Sequence, residues 1–318
     1  MKLRHVFALL GLAAIWGASF LFIKVAVQQP DAPGNFPPMT LVGVRIGLAA
    51  LVLYAILKLR GGALPWRSSP ALAVLGLINA AIPYFLFSWG EQYIDSNLAA
   101  IYNATTPLFT VLLAFFIVKE ERIGGWRSMG VIVGFLGIVY LFGDSLGNIG
   151  RGANRLHVLG ELACVGAAFC YGLSNMWARR RLRGLQPLQL ATGQMVWGAL
   201  WTLPVILVIE QPWRTLDPTP QAIAALGALS LFGTAIAMIL YFYLLTQVGA
   251  TRTAQVTYLL PIFGLFWGRF IGEPITPRIV VALVIVLLGL VIVNGGVDRL
   301  RRGKAQAADA VPQKIGSR

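Results

Sequence analysis

The sequence predicts an all-α membrane protein: ten transmembrane helices forming two inverted five-helix repeats around a central cavity. Three observations predict it. Hydrophobic residues make up 57% of the chain and charged residues only 12%, about half the roughly 25% charge of a soluble domain. The apolar residues gather into runs of the ~20 residues that a helix needs to cross a bilayer core. Finally, the chain repeats itself. With Pro107 set over Pro261, residues 94–109 match 248–263, so that Ile94 falls on Val248, Ala100 on Ala254 and Phe109 on Phe263. Residues 79–86 match 233–240 at the same offset of 154. Self-similarity at a fixed offset marks a duplicated structural unit.

Taken in order, the first run covers 6–27, with Trp16 and Ser19 near its middle and Lys24 toward its end. Lys2 and Arg4 before it resemble a secretory signal, but 18 uncharged residues follow. That exceeds the roughly 7–15 of a cleaved apolar region, so the run reads as an uncleaved span. The second run, 38–57, holds Arg45; the third, 69–90, Asn79 and Tyr84; the fourth, 96–118, Asn103, Thr106 and Pro107. After the fifth, 125–142, comes a polar stretch rich in Gly and Asn. The sixth, 158–178, carries Cys164, Cys170, Tyr171 and Ser174, and the seventh and eighth, 187–209 and 223–245, carry Gln194 and Thr234. The ninth, 253–272, holds Thr257, Tyr258 and Pro261, and the tenth is 278–297. The organisation is a first repeat over 5–143, a linker over 144–155, a second repeat over 156–297 and a basic tail over 298–318.

The net charge of +14 would suit nucleic acid or a membrane surface, and its distribution decides between them. With the N-terminus inside, 19 of the 26 Lys and Arg fall in cytoplasmic segments, four fall outside, and Lys24, Arg45 and Arg269 lie within spans. Such a bias in short loops fixes orientation, with both termini in the cytoplasm. The charge is a topology signal and no nucleic-acid partner follows. An odd number of spans per repeat makes the second copy enter from the opposite side, the inverted arrangement of many secondary transporters.

Catalytic patterns are missing. His5 and His157, the only histidines, lie at helix ends, where they cannot build a triad or a metal cluster in mid-membrane. Cys164 and Cys170, six apart, face different sides of one helix, so neither a disulfide nor a metal site follows. Asn103-Ala-Thr105 matches a glycosylation sequon inside a span and is a chance match. No cofactor is implied.

Polar groups within spans should face other helices or a wet cavity, because facing lipid is costly. One such Ser or Thr is accounted for by a hydrogen bond between helices. The set spread over both repeats is better accounted for by a lined cavity. Pro107 and Pro261 each lack a backbone N–H near mid-span, which predicts a kink and freed carbonyls beside Asn103 and Thr257. Glycines four apart (Gly43/Gly47, Gly130/Gly134, Gly264/Gly268/Gly272) predict close helix contacts.

These residues resemble a family. Trp16-Gly17-Ala18-Ser19-Phe20 with Lys24 is similar to the first-span signature of the EamA-type drug/metabolite transporter superfamily. Arg45, Pro107 followed by Glu120/Glu121, and Gly130 to Gly137 continue the pattern. The second copy repeats it in Gly160-Glu161, Tyr171-Gly172, Pro261, Glu273 and Gly289. The likeness runs from about His5 to Asn294. Pro261 to Glu273 spans twelve residues against thirteen from Pro107 to Glu120, so the helix ends need not correspond. The resemblance implies a central cavity between five-helix halves, alternating access, and export of small metabolites, commonly amino acids, from a bacterial inner membrane. Among relatives the aromatic amino-acid exporters fit the Trp- and Tyr-rich interior best.

The resulting expectation is a permease exporting amino acids or similar solutes, acting on a small molecule within a lipid bilayer, with no oligomer specified. The alternatives are uptake or exchange of another polar metabolite such as a nucleobase and, less well supported, an intramembrane transferase. The expected solute site comprises Trp16, Ser19, Lys24, Arg45, Asn79, Tyr84, Asn103, Thr106, Pro107, Tyr171, Ser174, Thr257, Tyr258 and Pro261. All twelve acidic residues fall in loops, the tail or near span ends, unlike the small multidrug pumps, which keep a carboxylate in the first span. Neutral, zwitterionic or anionic solutes are therefore expected over organic cations, with no proton bound at a mid-membrane carboxylate. Glu273 is expected to pair with Arg269, four residues back.

Overall fold

The computed structural model describes residues 1–29, 31–117, 125–147 and 155–295. Among them there are helices and connecting turns but no strands. Eight helices are long and apolar enough to cross a membrane: α1 Leu3–Ala26, α2 Pro38–Leu59, α3 Trp66–Gly90, α4 Ser96–Phe116, α5 Gly125–Gly147, α6 Arg155–Arg181, α7 Pro187–Arg214 and α8 Pro220–Val248. Two shorter apolar helices follow, α9 Val256–Phe270 and α10 Pro277–Val293. The last two fall short of the apolar runs that predicted them. Gly249 and Gly272 adopt positive φ on either side of α9 and Gly295 does so after α10, a conformation that ends a helix at little cost only for glycine.

Helix starts follow local chemistry. Proline stands at the first position of α2, α7, α8 and α10, where its missing N–H would be unpaired anyway. Thr219 and Thr276 cap α8 and α10, their side chains accepting from the N–H groups of Ala222 and Ile279.

Close neighbours pair α1 with α9, α6 with α4, α2 with α7, and α5 with α10. Glycine makes these approaches close. A Cβ added at Gly17 would lie 2.7 Å from the Cβ of Phe263, and one at Gly172 2.9 Å from that of Phe109. On the α5–α10 seam, one at Gly130 would lie 2.8 Å from the Gly289 carbonyl. Not every predicted glycine contact forms: a Cβ at Gly47 or Gly272 would meet nothing within 4 Å.

The prolines differ from the symmetric kinks expected of them. α4 is interrupted at Ala104–Thr105, and Pro107 is the second residue of the segment that resumes at Thr106. It therefore removes no helical hydrogen bond. The matching break before α9 falls at Ala254–Gln255, six residues ahead of Pro261, which lies inside α9. Thr106 and Thr257 close these breaks alike, each hydroxyl donating to the carbonyl three residues back at 2.8 Å.

Candidate solute site between the halves

Of three wide helical turns among the described residues, in which the backbone bonds reach five residues, one lies at Ile206–Glu210 in α7 and the other two occupy Leu77–Ala81 in α3 and Leu231–Ile236 in α8. The first residues of the turns in α3 and α8 are 154 apart, the offset of the sequence repeat. Such turns recur at functional sites because they expose polar backbone and re-aim side chains. In α3 the cause is Pro83, which leaves the Asn79 carbonyl without its usual donor. In α8, Thr234 Oγ1 instead donates to the carbonyl of Leu229 at 3.1 Å, widening the turn from the side chain.

Each wide turn is bonded to the opposite half. Asn79 donates to Gln194 of α7 at 2.8 Å and accepts from Ser174 of α6 at 2.6 Å. Thr234 accepts from Arg45 Nε of α2 at 2.9 Å, and Ser19 of α1 lies against Gly233. Arg45 is 6% exposed, and its guanidinium stands 4.1 Å from the centroid of the Tyr84 ring, a cation–π arrangement. Among the described residues no carboxylate reaches it within salt-bridge distance. Tyr171 packs beside Tyr84 and stacks on Phe87, and Phe20 meets Phe87 edge-on. Trp16 faces Tyr241 of α8 at 5.6 Å.

Of the residues expected to line a site, Arg45, Asn79, Tyr84, Tyr171 and Ser174 are thus brought together, with Ser19 beside them. Lys24 is not: its Nζ donates to the carbonyls of Glu91 and Ile94 at 2.8 and 2.9 Å. Tyr258 is tied to α10 through Leu290 and Asn294. Asn103, Thr106 and Pro107 stand at the break in α4, Thr257 just after the break before α9, and Pro261 within α9.

The end of the bundle that carries few basic residues is laced by bonds across the halves. Glu210 accepts from the N–H groups of Met39 and Thr40 at 2.8 and 2.6 Å, at the start of α2. Glu273 accepts from those of Ser96 and Asn97 at 2.7 and 2.9 Å, at the start of α4. Each carboxylate satisfies helix-terminal donors and the positive end of the helix dipole. The expected Glu273–Arg269 pair does not form, because α9 ends at Phe270 and the left-handed Gly272 swings Glu273 off that helix. Burial pushes the Glu273 carboxyl above its usual range, against the backbone bonds of Ser96 and Asn97. Sequence reasoning missed Glu210 as a structural anchor and gave Glu273 a different partner, since a carboxylate near a span end reads as solvated.

A bundle of long apolar helices with polar and aromatic side chains gathered at its centre is that of a multi-pass membrane protein. The chain belongs to the EamA-like transporter family, whose model matches residues 3–143 and again 158–295. Relatives are themselves named as transporters. An "uncharacterized transporter YoaV" of Bacillus subtilis is 22% identical, covering 90% of this chain and 95% of its own. An "uncharacterized inner membrane transporter YedA" of Escherichia coli K12 is 27% identical, covering 93% and 94%. A crystal structure with 18% identity superposes with a TM-score of 0.64 over 94% of this chain and 99% of its own, a likeness of fold.

Proposed function

We propose that this protein exports amino acids or similarly small zwitterionic solutes across a bacterial inner membrane, by alternating access between two inverted five-helix repeats. The observation that carries the reading is Arg45, a buried guanidinium held by Thr234 and Tyr84 with no carboxylate within salt-bridge distance among the described residues. A buried charge needs a partner, and a planar guanidinium suits a carboxylate, which an amino-acid solute supplies. Tyr84, Tyr171 and Trp16 offer aromatic faces to its side chain, and Asn79 and Ser174 polar groups to its other end.

Matched contacts support the inverted repeat. Gly17 meets Phe263 as Gly172 meets Phe109, and Ser19 meets Gly233 as Ser174 meets Asn79; each pair differs from its counterpart by about half the chain. Two half-units that pack on one another reciprocally can rock about the shared centre. The 19-to-4 split of basic residues supports cytoplasmic termini. With that orientation the laced end is the outer one, and the lacing supports an arrangement closed to the outside.

The test is flux into liposomes with a panel of amino acids, nucleobases and organic cations. Saturable flux of amino acids that is lost in Arg45→Ala is the expected result. Flux confined to nucleobases would favour the alternative of uptake or exchange of such a metabolite. Organic-cation flux insensitive to Arg45→Ala would overturn the reading.

A further inference from the structure

Glu91 follows the last residue of α3 and is completely buried, at 0% exposure. Neither carboxyl oxygen has a hydrogen-bond partner among the described residues, nor does the equally buried hydroxyl of Ser88 one turn earlier. The titratable and charged groups that act on it come from several helices. Lys24 of α1 and Arg45 of α2 attract its charge and Glu273 repels it, and Glu91 in turn acts on the thiol of Cys164 of α6, as does Glu161 one turn from that thiol. Yet Lys24 gives its bonds to the main-chain carbonyls of Glu91 and Ile94, and among the described residues no cationic nitrogen stands within salt-bridge distance of the carboxyl. Burial is the largest influence and pushes the Glu91 carboxyl well above the usual carboxylate range. An unpaired carboxylate in an apolar interior takes up a proton rather than keep its charge. A metal ion is disfavoured there by the same Lys24 and Arg45.

We propose that Glu91 is a proton-binding site of the transport cycle, occupied while the laced end is closed and emptied when that end opens. Opening admits water, which solvates the carboxylate and frees Lys24 to pair with it, so the proton leaves toward that side. The lacing bonds of Glu210 and Glu273 and the proton on Glu91 then belong to one state. Solute movement is thereby linked to a proton held near a span end rather than in mid-membrane. This use of the proton rests on the transporter reading, whereas the site itself can be measured without any solute.

The measurement is infrared spectroscopy of the purified protein in phospholipid vesicles, following the carbonyl stretch of protonated carboxyl groups in ordinary and heavy water. At neutral pH the wild-type spectrum minus that of Glu91→Gln should show a protonated-carboxyl band that fades as the pH rises. Superimposable spectra would overturn the proposal. Should the glutamine variant fail to fold, Glu91→Asp takes its place: a displaced band supports the site and an unchanged one overturns it. In Glu210→Gln, whose lacing is weakened, the midpoint of the Glu91 band should shift to lower pH, and an unmoved midpoint would overturn the link to closure. Failure here leaves the solute panel unaffected, and failure of the panel leaves this band to be read on its own.

Discussion

Arg45 is held as a planar group, its Nε on Thr234 and its face over Tyr84, so charge alone does not reproduce it. Lysine keeps the charge but neither the fork nor the stacking. Removing a hydrogen bond to a charged group costs about 1.5–3 kcal/mol, and ~1.4 kcal/mol is tenfold in affinity. Arg45→Ala should therefore weaken amino-acid binding by roughly ten- to a hundredfold, with Arg45→Lys in between and Lys24→Ala weaker in effect. Equilibrium binding of labelled solute to the purified protein checks this, and equal effects at the two positions would count against the assignment. Gly17 acts through space rather than charge. A methyl group there would overlap Phe263, and overpacking typically costs about 1–3 kcal/mol. Gly17→Ala should lower the thermal unfolding midpoint in detergent, while Gly47→Ala, which meets nothing within 4 Å, should not.

The helices show how similar sequences at matched positions do different work. Pro107 occupies the first turn of a helical segment, where it costs no bond, and Pro261 the interior of α9, where the Thr257 carbonyl loses its donor. Pro261→Ala should therefore stiffen α9 and slow transport, and Pro107→Ala should leave the rate near wild type. Equal slowing in both variants, with expression preserved, would restore the symmetric hinge that the sequence suggests. α3 and α8 make the converse point. They share a wide turn at the repeat offset, although proline produces it in one and a threonine hydroxyl in the other.

For the whole molecule, the lacing at one end and the distribution of charge make direction testable. Glu210 and Glu273 of the second repeat close on helices of the first, at the end that carries few basic residues. If that end is outside, a reporter active only beyond the cytoplasm should be active when fused near residue 147 and silent after Arg183 or in the tail. The opposite pattern would reverse the orientation, and with it the side to which Glu91 releases its proton.

Hydropathy acts on each segment separately, because every stretch of backbone in lipid must bond internally and present apolar side chains. Apolar segments, the duplication, the surplus of basic residues in alternate loops and the family resemblance were therefore legible in the sequence alone. Arg45, Asn79, Tyr84, Tyr171 and Ser174 could be singled out because a polar group inside a span needs a partner. Which partner each would find was not legible. Arg45 and Thr234 are 189 residues apart, and Ser96 and Glu273 are 177 apart; only the packing of one half on the other brings them together. The same holds for Glu91, which reads as a solvated residue at a span end until the neighbouring helices cover it. Burial and pairing are properties of the assembled bundle, and only the tertiary structure decided them.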